Sequence, residues 1–408
     1  MTIDRRQALS GLAGIGMAAT GFARLGADGA GRDEFPAQGR LRLRRRCHHH
    51  INGAFTHPHA AGGSRGDAHA AVRRRATVGG PFEHTAEVWK DFAALINADP
   101  EEVGLIPNTS TGENWVVEAL ELRPGRDNVV TDGLHFEGAL VHLMERRKQG
   151  LDVRVVMPRD GRIHMSDLER AVDDRTKLVE VSHVAMYNGF QHDLKAVSDL
   201  AHAHGAYVYA DIIQGVGAVP LDVRATGIDF AAASTYKWLM GDFGLGFMFV
   251  RRGLLDTVVR RPHWSYESAP DVEFHWSPTD PKSPEAIAYT PGRTAGTYLR
   301  LGTVASSVAA ALSVSLPYIH RLGVANIEAH RVPLVQRLQA GCPPRLQGPD
   351  AAGEHLAGGH LRPRRHGRHC PEACAGEGGR CGSRPTGSGI APSVYNDMAD
   401  IELLDALS

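Results

Sequence analysis

Three short apolar segments between residues 206 and 250 constrain the fold of this chain more than any other feature. Residues 206–210 end at Asp211, residues 229–234 are followed closely by Lys237, and residues 245–250 follow a glycine-rich turn. Short apolar runs that are bounded by turn residues and lack a helical period are typical of strands buried on both faces of a sheet. We therefore predict neighbouring buried strands, two of which end beside charged residues of opposite sign.

The rest of the central region alternates between helical and strand-like patterns. Helical periods occur at 85–98, 137–149, 194–204 and 301–316, and strand patterns occur at 128–131, 153–156 and 178–184. Such alternation predicts an α/β fold with a mostly parallel central sheet and helices on both faces. Ligands of such sheets bind beyond the carboxyl ends of the strands, where Asp211 and Lys237 fall.

The chemistry that needs a buried amine opposite a buried carboxylate is that of pyridoxal 5′-phosphate (PLP). The order Asp211, Gln214, Ser234, Tyr236, Lys237 and then a glycine-rich turn resembles the class V aminotransferases over roughly residues 82–303. This family includes cysteine desulfurases, selenocysteine lyases and isopenicillin N epimerase-like proteins. The resemblance implies the PLP-dependent transferase fold type I, with a large PLP-binding domain at 81–310 and a small C-terminal α+β domain at 311–408.

The resemblance also assigns roles around the ring of the cofactor. Lys237 would be the catalytic residue, forming a Schiff base with the cofactor aldehyde, and Asp211 would pair with the pyridine nitrogen. Gln214 would hydrogen-bond the ring hydroxyl. Taken alone, Lys237 could be a surface lysine that follows a strand, and Asp211 could be a turn or capping residue.

A second group of residues is predicted to hold the cofactor phosphate. Thr109, Ser110 and Thr111 precede a helical segment, and a helix N-terminus with free amides and hydroxyls can bind phosphate. Taken alone, the motif is equally compatible with ordinary helix capping. The family implies that Ser234 and Tyr236 also reach the phosphate, with Tyr236 in place of the histidine of the desulfurases.

Three further residues are assigned by the resemblance alone. Phe136 would stack on the pyridine ring, with His135 beside it, although a core phenylalanine and a surface histidine would fit the pattern too. Thr297, in the RTAGT segment that ends there, would reach the phosphate of the neighbouring subunit. The expected assembly is therefore a homodimer with its sites at the interface.

The reaction is left open among several alternatives. The expected activity is that of an aminotransferase or epimerase-like enzyme in which Lys237 moves the α-proton of an amino acid. A cysteine desulfurase or selenocysteine lyase is the first alternative, but no cysteine lies between Cys47 and Cys342, and the surroundings of Cys374 do not resemble the mobile catalytic loop of desulfurases. The second alternative is a catalytically inactive, exported protein that keeps the fold.

The ends of the chain have a different character. Residues 1–30 carry Arg5-Arg6 before a mild apolar stretch, which predicts a twin-arginine signal for export to the periplasm; without export the protein would be cytoplasmic. Segments 31–80 and 342–388 are dense in Arg, His, Gly and Pro, and we interpret them as frameshifted translations, with disordered linkers as the alternative.

Composition restricts the partners of the chain. The formal net charge of -1 gives no indication of nucleic-acid binding, and no apolar run approaches the roughly 20 residues of a membrane span beyond the export signal. No metal site is predicted, because His48–His50 and the C-terminal cysteines lack a ligand spacing. The expected partner is a small-molecule amino acid substrate.

Overall fold

The structure, a computed structural model, describes residues 85–269, 289–300, 302–341 and 391–401. The predicted export signal at 1–30 and the anomalous segments at 31–80 and 342–388 lie outside the described residues. The division into a large and a small domain stays a prediction.

A seven-stranded sheet forms the centre of the described region. In chain order its strands are β1 (Val103–Ile106), β2 (Asn128–Asp132), β3 (Asp152–Val156), β4 (Thr176–Ser182), β5 (Tyr207–Asp211), β6 (Phe230–Ser234) and β7 (Gly246–Val250). Their order across the sheet is β1-β7-β6-β5-β4-β2-β3. Only β7 is antiparallel to its neighbours β1 and β6, so the prediction of a mostly parallel sheet is confirmed.

Helices connect most of these strands. They are α1 (Thr85–Leu95), α2 (Thr109–Ala119), α3 (Glu137–Lys148), α4 (Met165–Ala171), α5 (Leu194–Ala203), α6 (Val223–Thr226), α7 (Ala295–Leu299), α8 (Ser306–Leu322) and α9 (Val324–Gly341). Gly205 ends the turn after α5 with a φ of 72°, a left-handed conformation that glycine adopts without steric cost.

The sheet is covered on both faces, as its apolar strands require. Val208 and Ala210 of β5 belong to the core that includes α1, α5 and α8, whereas Tyr209 belongs to the opposite core with α2. Successive side chains of a strand point to opposite faces, so a strand buried on both sides has no polar alternation. This is why the sequence of β5 lacks an amphipathic pattern.

Two features differ from the sequence-based expectations. The helix expected at 301–316 begins at Ser306, and residues 303–305 are not helical. Gly302 has a φ of 151°, which is incompatible with a helix at that residue. The edge strand β1 was not predicted, since its four residues are too short to show a period.

No single helix among the described residues is long and apolar enough to cross a membrane. Only α8 and α9 together, bent by 76°, reach that length and apolar composition.

Candidate active site

Asp211 and Lys237 come together at one edge of the sheet. Asp211 is the last residue of β5, and Lys237 lies three residues beyond the end of the adjacent, parallel strand β6. Both side chains are buried, and each lies within electrostatic reach of the other. The carboxyl ends of parallel strands meet at the same edge, which is the position of ligand sites in such sheets.

The Lys237 amine is held in an environment that weakens its charge. Burial lowers the pKa of Lys237 to about 8, and the negative charge of Asp211 only partly opposes this effect. The amine lies 5.9 Å from the centre of the Tyr236 ring, which itself stacks on Phe243 at 4.5 Å. A lysine with a lowered pKa is a nucleophile near neutral pH.

The Asp211 carboxylate is influenced by several neighbours. Burial raises its pKa, and the positive charges of His135 and Lys237 counteract that rise, as does a hydrogen bond of 3.0 Å from the Ile213 amide to Oδ1. Asp211 is therefore a buried acid whose ionised form depends on nearby cations.

Gln214 has an unused hydrogen-bond donor in this region. Its Oε1 accepts a hydrogen bond of 3.3 Å from Trp238 Nε1, whereas its Nε2 has no hydrogen-bond partner among the described residues, although the side chain is buried. Buried amide donors are normally paired, so an unpaired donor beside Asp211 and Lys237 fits a site for a bound polar group.

A pair of hydroxyl residues joins the N-terminus of α2 to the end of β6. The Thr109 amide donates to Ser234 Oγ at 3.0 Å, and the Ser234 amide donates to Thr109 Oγ1 at the same distance. The two predicted phosphate residues are thus brought together, although they are 125 positions apart.

Ser110 and Thr111 lie on the outer side of the same helix end. Thr111 donates to the capping residue Asn108 through its amide and its hydroxyl. Both residues line a cavity of about 340 Å³, together with residues that include His263 and Leu299. Neither Asp211 nor Lys237 lines this cavity, so we place the chemistry at the buried amine and carboxylate instead.

His135 points into the protein interior. Its Nδ1 lies 2.8 Å from Ser182 Oγ, and its Nε2 lies 3.8 Å from Glu180 and 3.9 Å from Glu113. The half-buried ring of Phe136 packs over Gly138 in the first turn of α3, where any larger residue would collide with it. Their predicted contacts with the cofactor stay predictions.

Thr297 is not part of the group around Lys237. It lies in α7, which packs against the edge strand β1, and its hydroxyl donates to the Thr294 carbonyl at 2.9 Å. Its predicted role in a neighbouring subunit stays a prediction.

Several residues of this region escaped the sequence analysis. Arg331 of α9 is buried, with its guanidinium 4.2 Å from the ring of Trp238, the neighbour of Lys237. Glu113 and Glu180 are buried beside Asp211. Buried charged residues are rare and have no sequence period. Glu113 is the exception, because its position four residues after Thr109 places it on the same face of α2 as that predicted phosphate residue.

A fold with a seven-stranded, mostly parallel sheet and a buried lysine opposite an aspartate at the strand ends defines the class of PLP-dependent fold type I proteins. The model of the family described as Aminotransferase class-V matches residues 66–343, and this chain belongs to that family.

Similar proteins support the same placement. A probable cysteine desulfurase of Methanothermobacter thermautotrophicus is 29% identical over 258 residues, covering 62% of this chain and 60% of the relative. The uncharacterized aminotransferase YcbU of Bacillus subtilis is 32% identical over 177 residues, covering 43% of this chain and 47% of YcbU. The alignments therefore span about half to three fifths of these relatives.

A solved structure shares the fold over most of the chain. The apo cysteine desulfurase of Thermococcus onnurineus NA1 superposes with a TM-score of 0.71 at 21% identity, covering 88% of this chain and 92% of the other. The expected fold is confirmed by this likeness. Family membership also confirms PLP as the cofactor, and the buried amine, the buried carboxylate and the unpaired Gln214 donor fit this group.

Proposed function

We propose that this protein is a PLP-dependent enzyme that acts at the α-carbon of an amino acid, with Lys237 as the catalytic residue. The observation that carries the proposal is the buried Lys237 amine, with a pKa of about 8, beside the buried Asp211 carboxylate at the ends of two adjacent strands. When bound, PLP supplies an aldehyde that bonds to amino groups and a ring that accepts electrons.

The residues of the chain have distinct tasks in this proposal. Lys237 Nζ attaches the cofactor and afterwards, as a free amine, holds and returns the α-proton of the substrate. An ionised Asp211 would hold a proton on the ring nitrogen, and the positive charge there would offset the burial that raises the pKa of Asp211. Gln214 Nε2 donates to the ring oxygen, which would satisfy its missing hydrogen bond.

The phosphate is assigned to the start of α2. The N-terminus of α2 carries the positive end of the helix dipole, and the Thr109 and Ser234 hydroxyls fix its position against β6. Ser110, Thr111 and Tyr236 supply further hydroxyls in this assignment.

The transformation proposed first is amino transfer or epimerisation, in which Lys237 alone among the described residues moves the proton. Cysteine desulfuration is the second candidate, and it is favoured by the relatives that bear this name. It requires a cysteine nucleophile, and all five cysteines lie outside the described residues.

A test of both candidates uses the full chain loaded with PLP. In deuterated water the wild type should exchange the α-proton of a reactive amino acid, and mass spectrometry would detect the exchange. Lys237→Ala should lose this exchange, whereas Lys195→Ala should keep it, because Lys195 is exposed and pairs with Asp199. Formation of alanine from L-cysteine, with sulfide released once a thiol reductant is added, would favour the desulfurase. Absence of both activities from PLP-loaded wild type would contradict an enzymatic function.

A further inference from the structure

Four ionisable side chains form a buried cluster next to Asp211. Glu113 lies on α2, His135 in the turn after β2, His142 on α3 and Glu180 on β4. The side chains of Glu113, His135 and Glu180 are fully buried, and that of His142 is 10% exposed. We call these four residues the Glu113 cluster.

The Glu113 cluster has an unusual number of unpaired polar atoms. Both carboxylate oxygens of Glu113, one of Glu180 and Nε2 of His135 have no hydrogen-bond partner among the described residues. His135 Nε2 is 3.8 Å from Glu180 Oε1 and 3.9 Å from Glu113 Oε1, too far for hydrogen bonds. Buried carboxylates are normally paired with a cation, and an ion at the centre of the cluster would lie beside the unpaired oxygens of both glutamates.

The distances suit ligands that share one ion. Zinc binds histidine nitrogens and carboxylate oxygens at about 2.0–2.2 Å, so two tetrahedral ligands lie roughly 3.4 Å apart. His142 Nε2 and Glu180 Oε1 are 3.3 Å apart, and single donor atoms of Glu113, His142 and Glu180 lie within 4.8 Å of one another. The other donors, including His135 Nε2 at 3.8 Å from Glu180 and 3.9 Å from Glu113, would have to move inward to enter a single coordination sphere.

The surroundings of His135 fit the same interpretation. Its Nδ1 can donate to Ser182 Oγ at 2.8 Å, and this tautomer leaves a lone pair on Nε2 directed towards the two glutamates. Such a hydrogen bond from the second ring nitrogen is the usual way in which proteins orient a metal-binding histidine. Two carboxylates and two neutral imidazoles also balance the charge of one divalent cation.

We propose that Glu113, His135, His142 and Glu180 bind one divalent transition-metal ion, with Zn²⁺ as the best match to the ligand set. Four protein ligands fill a tetrahedral site, which is typical of structural ions and leaves no position for a substrate. The ion holds α2, α3 and β4 together behind Asp211. The proposal does not rest on the proposed enzymatic function, and the ion would take the place of the His135 positive charge beside Asp211.

The alternative is a cluster that holds protons instead of a metal. Burial, reinforced by the charges of Asp211 and Glu180, raises the pKa of Glu113 well above its usual value, so a neutral Glu113 would also relieve the charge. The two states differ in metal content and in their response to a chelator.

The test measures metal per chain in full-length protein grown with zinc and purified without a metal-affinity step. Wild type should carry about one equivalent more Zn²⁺ than Glu180→Gln or His142→Gln. Asp229→Asn is the matched control, because Asp229 is equally buried and pairs with His202 at 2.8 Å outside the cluster. The histidine run at 48–50 and the five cysteines remain in every variant, so any metal that they bind cancels in the comparison.

A second measurement tests the proposal on the wild type and the control, so it does not require the cluster variants to fold. Chelation should lower the melting temperature of the wild type and of Asp229→Asn, and adding Zn²⁺ back should restore it. Ser182→Ala should weaken Zn²⁺ binding by about 10- to 100-fold, since it removes the hydrogen bond that orients His135. Equal zinc in wild type and both cluster variants, or a wild-type melting temperature that chelation leaves unchanged, would overturn the proposal.

Discussion

At the scale of single residues, the buried amine of Lys237 is the most consequential group in the molecule. Its pKa falls to about 8 because desolvation outweighs the attraction of Asp211. Burying a charge costs free energy, and the protein tolerates this cost where the group can do chemistry.

The pH dependence of stability tests this environment in the cofactor-free protein. Between about pH 8 and 10.5 the unfolded chain keeps the Lys237 proton and the folded chain does not. The free-energy cost of burying the Lys237 charge is therefore full below pH 8 and decreases as the pH rises towards 10.5. At pH 8 and below, Lys237→Met should therefore exceed the wild type by up to about 3 kcal/mol in free energy of unfolding.

Denaturant unfolding of both proteins at several pH values measures this difference. It should shrink steadily as the pH approaches 10.5. Curves that stay parallel across the whole range would show that the Lys237 amine is not desolvated in the folded protein.

Some of these residues could be found from the sequence and others could not. Asp211 and Lys237 each follow a buried apolar strand, so their position at the edge of the sheet was predictable from the chain around them. The partners of His135 were not, because Ser182 and Glu180 reach it from a strand more than 40 positions away. Such contacts depend on how strands are ordered in the sheet, which no local pattern encodes.

At the scale of elements, the ends of β5 and β6 and the start of α2 create the site. Parallel pairing of Asp211 with Ala232 places the end of β5 just before the end of β6 at Ser234. The Thr109–Ser234 hydrogen bonds then fix the helix N-terminus above β6. Short apolar strands and a Ser/Thr-rich helix start are local signals, so each element was predictable. The proximity of Thr109 and Ser234 followed only from the family resemblance, because no local pattern links residues 125 positions apart.

Arg331 connects the last described segment, residues 391–401, to the site. Arg331 of α9 donates to the carbonyls of Pro392 at 2.8 Å and Ala218 at 3.2 Å. Its guanidinium also lies against the ring of Trp238, whose indole nitrogen donates to Gln214. A buried arginine in a helix with little amphipathic pattern gives no sequence signal, so this link became visible only in the structure.

At the scale of the whole molecule, the position of Thr297 bears on assembly. Its α7 lies beside the edge strand β1, separated from β6 by β7 in the sheet. We propose, with the family resemblance, that Thr297 serves the phosphate of a partner subunit in a homodimer.

Complementation between two inactive variants tests this arrangement. In a mixed dimer of Lys237→Ala and Thr297→Val, one site would contain both wild-type residues, because each is supplied by a different subunit. The mixed dimer should recover about half of the wild-type cofactor content, whereas each variant alone should be deficient. No recovery in purified mixed dimers, or a wild-type protein that is monomeric in solution, would contradict the proposal.

Attachment of the cofactor to Lys237 is the feature on which the proposed function depends most. Reduction of the PLP-loaded full-length protein with borohydride, followed by peptide mass spectrometry, measures this directly. We predict a single pyridoxyl-phosphate modification, on Lys237. A modification on another lysine, or unchanged covalent labelling in Lys237→Ala, would contradict the central claim.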